Sequence, residues 1–207
     1  MSNALQETPN YLTAAFYLFV ELPNYVDRRA ALLAFCEAHN VKGSILLASE
    51  GINGTIAGAA KDVQAVLAYL RHDPKFAKLE HKESWANKPP FHRMKVRLKK
   101  EIVTMGVDGI SPTKMAGTYV KPEDWNALIS EPDVVLIDTR NHYEVDIGTF
   151  KGAIDPKIDS FSQLPEWVKN AQSLEERHGK KPRVAMFCTG GIRCEKSTAL
   201  MRDRKST

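Results

Sequence analysis

Two segments of this 207-residue chain are apolar at consecutive positions: Val134 to Ile137, followed by Asp138, and Val184 to Phe187, followed by Cys188. A strand with one wet face alternates apolar and polar residues. A strand that is apolar throughout is buried on both faces, as in a parallel sheet covered by helices. Phe161 to Glu176, between the two runs, reads as a helix. Residues 122–207 are therefore predicted to form a parallel α/β domain. It opens on a short helix after Pro122 that carries Trp125, Leu128 and Ile129. In such sheets functional residues sit at the C-terminal strand ends, where this chain places Asp138 and Cys188.

Residues 1–104 follow another pattern. Leu12 to Leu22, Ser44 to Ala48, Thr55 to Ala57, Phe76 to Trp85 and His92 to Lys99 read as strands. Val26 to His39 reads as a helix with Ala30, Leu33, Ala34 and Ala38 as its apolar positions, and Asp62 to Leu70 as a second with Val63, Val66, Leu67 and Leu70 on one face. Glu50 to Gly54 reads as a turn, because Asn53-Gly54 tolerates positive φ. The order strand, helix, strand, strand, helix, strand, with one strand to spare, predicts a ferredoxin-like α+β domain with helices on one face of an antiparallel sheet. Residues 105–121 hold glycines, Pro112 and few large apolar side chains, and read as a linker. The chain is thus α/β overall, with two different domains.

A hydrophobic fraction of 43% and a charged fraction of 26% exclude a disordered or low-complexity chain. No apolar run approaches the ~18 residues of a membrane span, so no membrane partner is predicted. The apolar stretch Ala14 to Val20 is short and lacks a basic lead, so it does not read as an export signal. A cytoplasmic location follows as the expectation, with Cys36, Cys188 and Cys194 as free thiols. There is no Cys-x-x-Cys pair and the six histidines are scattered, so no metal site is predicted.

The net charge of +4 is unevenly placed. Residues 71–100 hold ten Lys or Arg against three Asp or Glu. Alternation along His92 to Lys99 puts Met94, Val96 and Leu98 on one face and Arg93, Lys95, Arg97 and Lys99 on the other, at intervals of ~6.5–7 Å. Such a row either contacts a polyanion such as a nucleic-acid backbone, or is the solvated edge of the sheet.

The segment Cys188-Thr189-Gly190-Gly191-Ile192-Arg193-Cys194 follows a buried strand and opens a helix. Two glycines permit a tight loop whose amides converge, the helix N-terminus favours negative charge, and Arg193 adds a positive one. Together these predict a reactive thiolate at Cys188, cradled by Thr189, Gly190, Gly191, Ile192 and Arg193. Four residues separate Cys188 from Arg193, one fewer than a tyrosine-phosphatase loop has. The smaller cradle suits a terminal sulfur on the cysteine, a persulfide, better than a phosphate. Cys36 reads as an inert core thiol; Cys194 is either a resolving thiol or a small packed residue.

This loop resembles that of rhodanese domains. So does Asp138-Thr139-Arg140 followed by Glu144, Gly148 and Gly152-Ala153, although Thr149 stands where rhodaneses usually carry a histidine. The whole order is more specific: Gly51-Ile52-Asn53-Gly54-Thr55, Pro90 to Lys95, Gly117-Thr118-Tyr119, Ile137 to Asn141, then Cys188 to Lys196. Over residues 12–200 it resembles the bacterial tRNA uridine hydroxylase family, TrhO. That resemblance implies an acylphosphatase-like N-terminal domain and a rhodanese domain, and it makes the rhodanese domain incomplete at its C-terminus, since the fold continues beyond the active-loop helix. It further implies oxygen-dependent hydroxylation of the wobble uridine, position 34, at C5, with tRNA as partner and Cys188 as the essential residue. Molecular oxygen and a reductant are implied. The residues themselves identify no cofactor, having no flavin fingerprint, facial triad or iron–sulfur spacing, and they identify no protein partner.

Read without the resemblance, the residues point to a sulfurtransferase acting near nucleic acid; with it, three functions are open: the hydroxylase working through Cys188, a thiosulfate-type sulfurtransferase or sulfur carrier using a Cys188 persulfide, and an RNA-binding module whose cysteine loop is vestigial. Asp138, Arg140 and Glu144 are expected to brace the active loop by ion pairs, and Arg93, Lys95, Arg97 and Lys99 to meet tRNA phosphates.

Overall fold

A computed structural model describes residues 10–170 and 182–203. The chain divides into two compact units at Ile102/Val103.

The first unit runs β1 (Tyr11–Phe19), α1 (Tyr25–Ala38), β2 (Lys42–Ala48), β3 (Gly51–Gly58), α2 (Ala60–His72), β4 (His81–Ala86) and β5 (Met94–Leu98). The sheet order is β4-β1-β3-β2-β5. The first four strands are antiparallel neighbours, and β5 joins β2 in parallel at the edge. Leu12, Ala14 and Phe16 of β1, Ile45 and Leu47 of β2 and Ile52 and Ile56 of β3 form the core with Val63, Val66, Leu67 and Leu70 of α2. All four residues expected on the inner face of α2 are buried there.

The α1 face differs from the sequence reading. Leu32 and Cys36 are buried and Leu33 is half-buried, whereas Ala30, Ala34 and Ala38 are exposed. Burial of Leu and Cys at i, i+4 removes more apolar area from water than burial of alanines, so the larger side chains set the rotation of the helix. The Asn53-Gly54 turn is also absent. Both residues lie inside β3, and the chain reverses at Ser49-Glu50 before Gly51. Gly54 serves close packing: a Cβ there would lie 2.8 Å from the Phe16 ring. Asn53 donates from its side chain to the Ile102 carbonyl at 2.9 Å. Phe76 belongs to a 3-10 turn, Pro74–Phe76, and the strand expected from it begins only at His81.

On β5, Val96 is buried, Met94 half-buried and Leu98 38% exposed. Arg93, Arg97 and Lys99 are exposed and Lys95 half-buried. Arg29 of α1 donates to the Val96 carbonyl at 3.0 Å, which ties the edge strand to the helix layer.

The second unit contains α3 (Pro112–Met115), α4 (Pro122–Ile129), β6 (Val134–Asp138), α5 (His142–Val145), a 3-10 turn at Phe161–Gln163, α6 (Leu164–Asn170), β7 (Arg183–Phe187) and α7 (Ile192–Asp203). Strands β6 and β7 pair in parallel from Val134↔Arg183 to Asp138↔Phe187. Ile154 adds a parallel bridge beside Ile137. The helix expected over Phe161 to Glu176 is seen as the 3-10 turn and α6; residues 171–176 lie outside the described residues. β6 is buried through Asp138, but on β7 only Ala185 is buried.

Residues 105–121 are not an unattached linker. Met105 is 1% exposed and forms a core with Ile158, Phe161, Leu164 and Leu200, flanked by Val103, Val107 and Ile110. The Gly117 amide donates to Thr198 of α7 at 2.9 Å. The segment has few apolar side chains, but those it has cover α6 and α7.

Candidate active site

Asp138 ends β6 and Cys188 directly follows β7, so parallel pairing places them at neighbouring C-terminal strand ends. The Cys188 loop turns back at Gly191, whose φ of +97° is one that L side chains rarely adopt. The Gly191 amide thereby donates to Cys188 Sγ at 3.0 Å.

The Cys194 thiol, in the first turn of α7, donates to the same sulfur. With the amides of Cys194, Gly190 and Gly191 it overcomes the cost of burial and lowers the Cys188 pKa from 9.0 to about 5. The partner shifts the other way: beside the Cys188 thiolate the Cys194 thiol is held protonated. Cys194 is thus a proton-bearing donor in the cradle. Cys188 is half-buried, unlike the fully buried Cys36. Cys36, fully buried, is pushed up to about 12 by desolvation and then by Glu37.

The Gly191 amide bonds the sulfur directly, and the amides of Gly190 and Cys194 also lower its pKa. Thr189 and Arg193 add side-chain bonds that shape the loop, and Ile192 starts α7. Arg193 donates to Glu144 at 2.6 and 2.8 Å, and the Thr189 hydroxyl donates to Glu144 at 2.9 Å. The Asn141 amide adds a bond at 3.2 Å. Arg193 leads these partners in pulling the Glu144 carboxyl down to about 2. The Arg193 charge is therefore largely neutralised by Glu144, and part of it still faces Cys188.

Asp138 and Arg140 brace a different segment. Arg140 grips Asp138 through Nε and Nη2, the latter at 2.7 Å, and donates to the Gly148 carbonyl at 2.6 Å. The Thr149 hydroxyl donates to Asp138 at 2.8 Å. Thr149, noted in the sequence as a departure from the rhodanese pattern, is thus a partner of the buried carboxylate. Despite desolvation, the Arg140 and Thr149 bonds hold the Asp138 carboxyl below its usual range.

The link from β6 to the cysteine loop is Thr139, which the sequence reading passed over. It is fully buried, donates to the Phe187 carbonyl at 3.0 Å and lies 3.6 Å from Cys194 Sγ. Lys196 was missed as well: 2% exposed, it donates to the Val103 carbonyl at 3.0 Å and anchors α7. A polar residue at the end of an apolar run is the signal that finds Thr139; nothing in the sequence around Lys196 marks it as buried. Arg93, Lys95, Arg97 and Lys99 belong to the first unit.

Among the described residues, no three His, Cys, Asp or Glu side chains group in a way that could hold a metal ion. No helix among them is long and apolar enough to cross a membrane. The arrangement can keep one sulfur ionised near neutral pH and stabilise an additional anionic atom carried on it.

Residues 11–102 match the family described as UPF0176 acylphosphatase like domain. Over 93% of its length the chain is 68% identical to a tRNA uridine(34) hydroxylase of Albidiferax ferrireducens, and over the same share 62% identical to one of Acaryochloris marina. Over 98% of its length it is 58% identical to one of Rhizobium etli. Along nearly its whole length the chain is thus similar to proteins named tRNA uridine(34) hydroxylase. It spans 60%, 61% and 64% of the length of these three relatives. Among solved structures, an acylphosphatase from Coxiella burnetii aligns at TM-score 0.32 and 10% identity, over 46% of this chain and 100% of that one, a likeness too loose to argue from.

Proposed function

We propose that this chain carries the tRNA-binding and thiol-bearing parts of a tRNA uridine(34) hydroxylase, an enzyme that places a hydroxyl at C5 of the wobble uridine with molecular oxygen. The observation that carries this reading is identity of 56–68% to proteins of that name along at least 93% of the chain, loop cysteine included in the matched span. The second unit is read as a rhodanese-like domain, on the strength of the Cys188–Arg193 loop between a parallel strand and a helix.

In this reading Cys188 is the reactive group. The Gly190, Gly191 and Cys194 amides and the Cys194 thiol hold its sulfur as a thiolate, ready to bear a further sulfur as a persulfide. Glu144 fixes Arg193 and Thr189 and so sets the shape of the loop. Asp138, Arg140 and Thr149 hold the 148–149 turn, and Thr139 joins the strand end to Cys194. Inserting one oxygen atom of O2 into a C–H bond releases water from the other and consumes two electrons, so a reductant is needed. Arg93, Lys95, Arg97 and Lys99 meet tRNA phosphates. The site of action is the cytoplasm, where tRNA is modified. A sulfurtransferase reading is not favoured, because the relatives are named as hydroxylases.

Nucleoside mass spectrometry of tRNA from cells lacking the protein tests the reading. Loss of 5-hydroxyuridine and its derivatives at position 34, restored on re-expression, is the expected result. Unchanged tRNA, with rapid thiocyanate release by the pure protein from thiosulfate and cyanide, would replace it with the sulfurtransferase.

A further inference from the structure

The sheet of the first unit has helices on one side only. Its other side can be read row by row from the strand register. One row crosses all five strands: Lys82, Ala15, Thr55, Ser44 and Lys95. The next contains Ser84, Thr13, Ala57 and Lys42, with Arg93 just ahead of β5. A third contains Tyr17, Asn53, Leu46 and Arg97.

The floor of this face is small and hydroxyl-bearing, and its rims are cationic. Lys82 stands at the β4 edge; Lys42, Arg93, Lys95 and Arg97 stand at the β2–β5 edge. Four strand spacings of ~4.8 Å put the outer strands about 19 Å apart. Ala15, on the central part of β1, is exposed, as are Lys42 and Lys82, while Ala57 between Thr13 and Lys42 is buried. Toward Gly51 the face is covered by its own chain, for Ile102 is fully buried and accepts from Asn53. No Asp or Glu occupies this face of the five strands; Glu50, Glu80 and Glu101 lie outside the strands.

We propose that this helix-free face is the tRNA-docking surface of the protein, gripping the phosphodiester backbone of a base-paired stem between the Lys82 rim and the Lys42–Arg97 rim. The proposal rests on the tRNA reading above and adds where and how the RNA lies. Charge complementarity selects a polyanion. The floor then selects its form. Unpaired bases are bound by stacking on projecting aromatic rings, but the open centre carries Ala15, Thr13, Ser44 and Thr55. The two tyrosines of β1 on this face, Tyr11 and Tyr17, are both half-buried, and Tyr17 packs edge-on to Phe19. Duplex RNA is recognised through its backbone and 2′-hydroxyls, which lysines and small hydroxyl side chains serve. An anionic membrane would also need apolar side chains to insert. The exposed large apolar residues of this unit, Val26, Tyr69, Trp85 and Leu98, lie in the helices or on the helix side of β4 and β5.

The test compares Lys42→Glu and Lys82→Glu, both exposed and outside the β5 row, with Lys61→Glu on α2, using the full chain. Thermal unfolding of all three should match the unaltered protein. In filter binding to bulk tRNA across a salt series, the two face variants should bind several-fold more weakly and with a log–log salt slope shallower by about one. Lys61→Glu should bind as the unaltered protein does. A 12-base-pair RNA hairpin should compete better than an unpaired RNA of equal length. Equal losses in all three variants, or none in the face variants, would overturn the surface while leaving the tRNA reading intact. Better competition by unpaired RNA would overturn the stem assignment. Capture of anionic lipid vesicles with no binding of tRNA would overturn both the surface and the reading beneath it.

Discussion

Removing the Cys194 thiol tests the cradle at its largest contribution. A hydrogen bond to a charged acceptor contributes about 1.5–3 kcal/mol, and one pKa unit corresponds to ~1.36 kcal/mol. Cys194→Ala should therefore raise the Cys188 pKa from about 5 by about one to two units. The assay is the rate of iodoacetamide alkylation against pH on the native protein. Cys36, pushed up to about 12, and Cys194, held protonated, stay silent near neutrality, so the rate reads Cys188. Normalised to each protein's alkaline plateau, the rate near pH 6 should be about nine-tenths for the unaltered protein and about a half to a tenth for Cys194→Ala. The plateau itself should rise in the variant, because a more basic thiolate is the better nucleophile; the midpoint is therefore the quantity to compare. Cys194→Ser keeps an O–H donor and should stay close to the unaltered curve. Superimposable midpoints for the protein and Cys194→Ala would refute the donor role and leave the amides alone to ionise Cys188.

Glu144→Gln breaks the pair with Arg193. A carboxyl held at about 2 against an unfolded value of 4.5 contributes about 3 kcal/mol at neutral pH, so urea unfolding should show a loss of that order. Because the folded pKa is the depressed one, this contribution is full above 4.5 and is lost as pH falls toward 2. The two proteins should converge in acid, and a constant gap would contradict the ion-pair account. Gly54→Ala places a Cβ 2.8 Å from the Phe16 ring and should cost about 1–3 kcal/mol; an unchanged midpoint of thermal unfolding would show that the ring can yield. Arg97→Glu should weaken tRNA binding and flatten its salt dependence, whereas salt-independent affinity would count against the cationic row.

Some of this was legible because the physics is local. Two all-apolar runs ending in Asp138 and Cys188 specify parallel strands and put those residues at adjacent strand ends. Val63, Val66, Leu67 and Leu70 fix the inner face of α2 by spacing alone. Where small residues blur the period, the reading slipped: Ala30, Ala34 and Ala38 fit a helical stripe on α1, but Leu32 and Cys36 occupy the core. Asn53-Gly54 carries a turn signature, yet Gly54 is needed for room beside Phe16. Tertiary context also turned the expected linker into a wall of the second core through Met105.

At the site, the thiol, the glycine turn and Arg193 were readable from spacing. The pairing of Arg193 with Glu144 required knowing that α5 lies beside the loop. The donor role of Cys194 required knowing where the first turn of α7 points its side chains. Thr139 and Thr149 are ordinary threonines in sequence. Only strand pairing and the 148–149 turn bring them to Cys194 and Asp138.

The most direct measurement replaces Cys188 with serine in cells and quantifies 5-hydroxyuridine and its derivatives at position 34 of tRNA. The account predicts levels as low as in cells without the protein, while Cys36→Ser retains the modification. Full modification with Cys188→Ser, in cells where the variant accumulates normally, would contradict the claim that this sulfur performs the reaction.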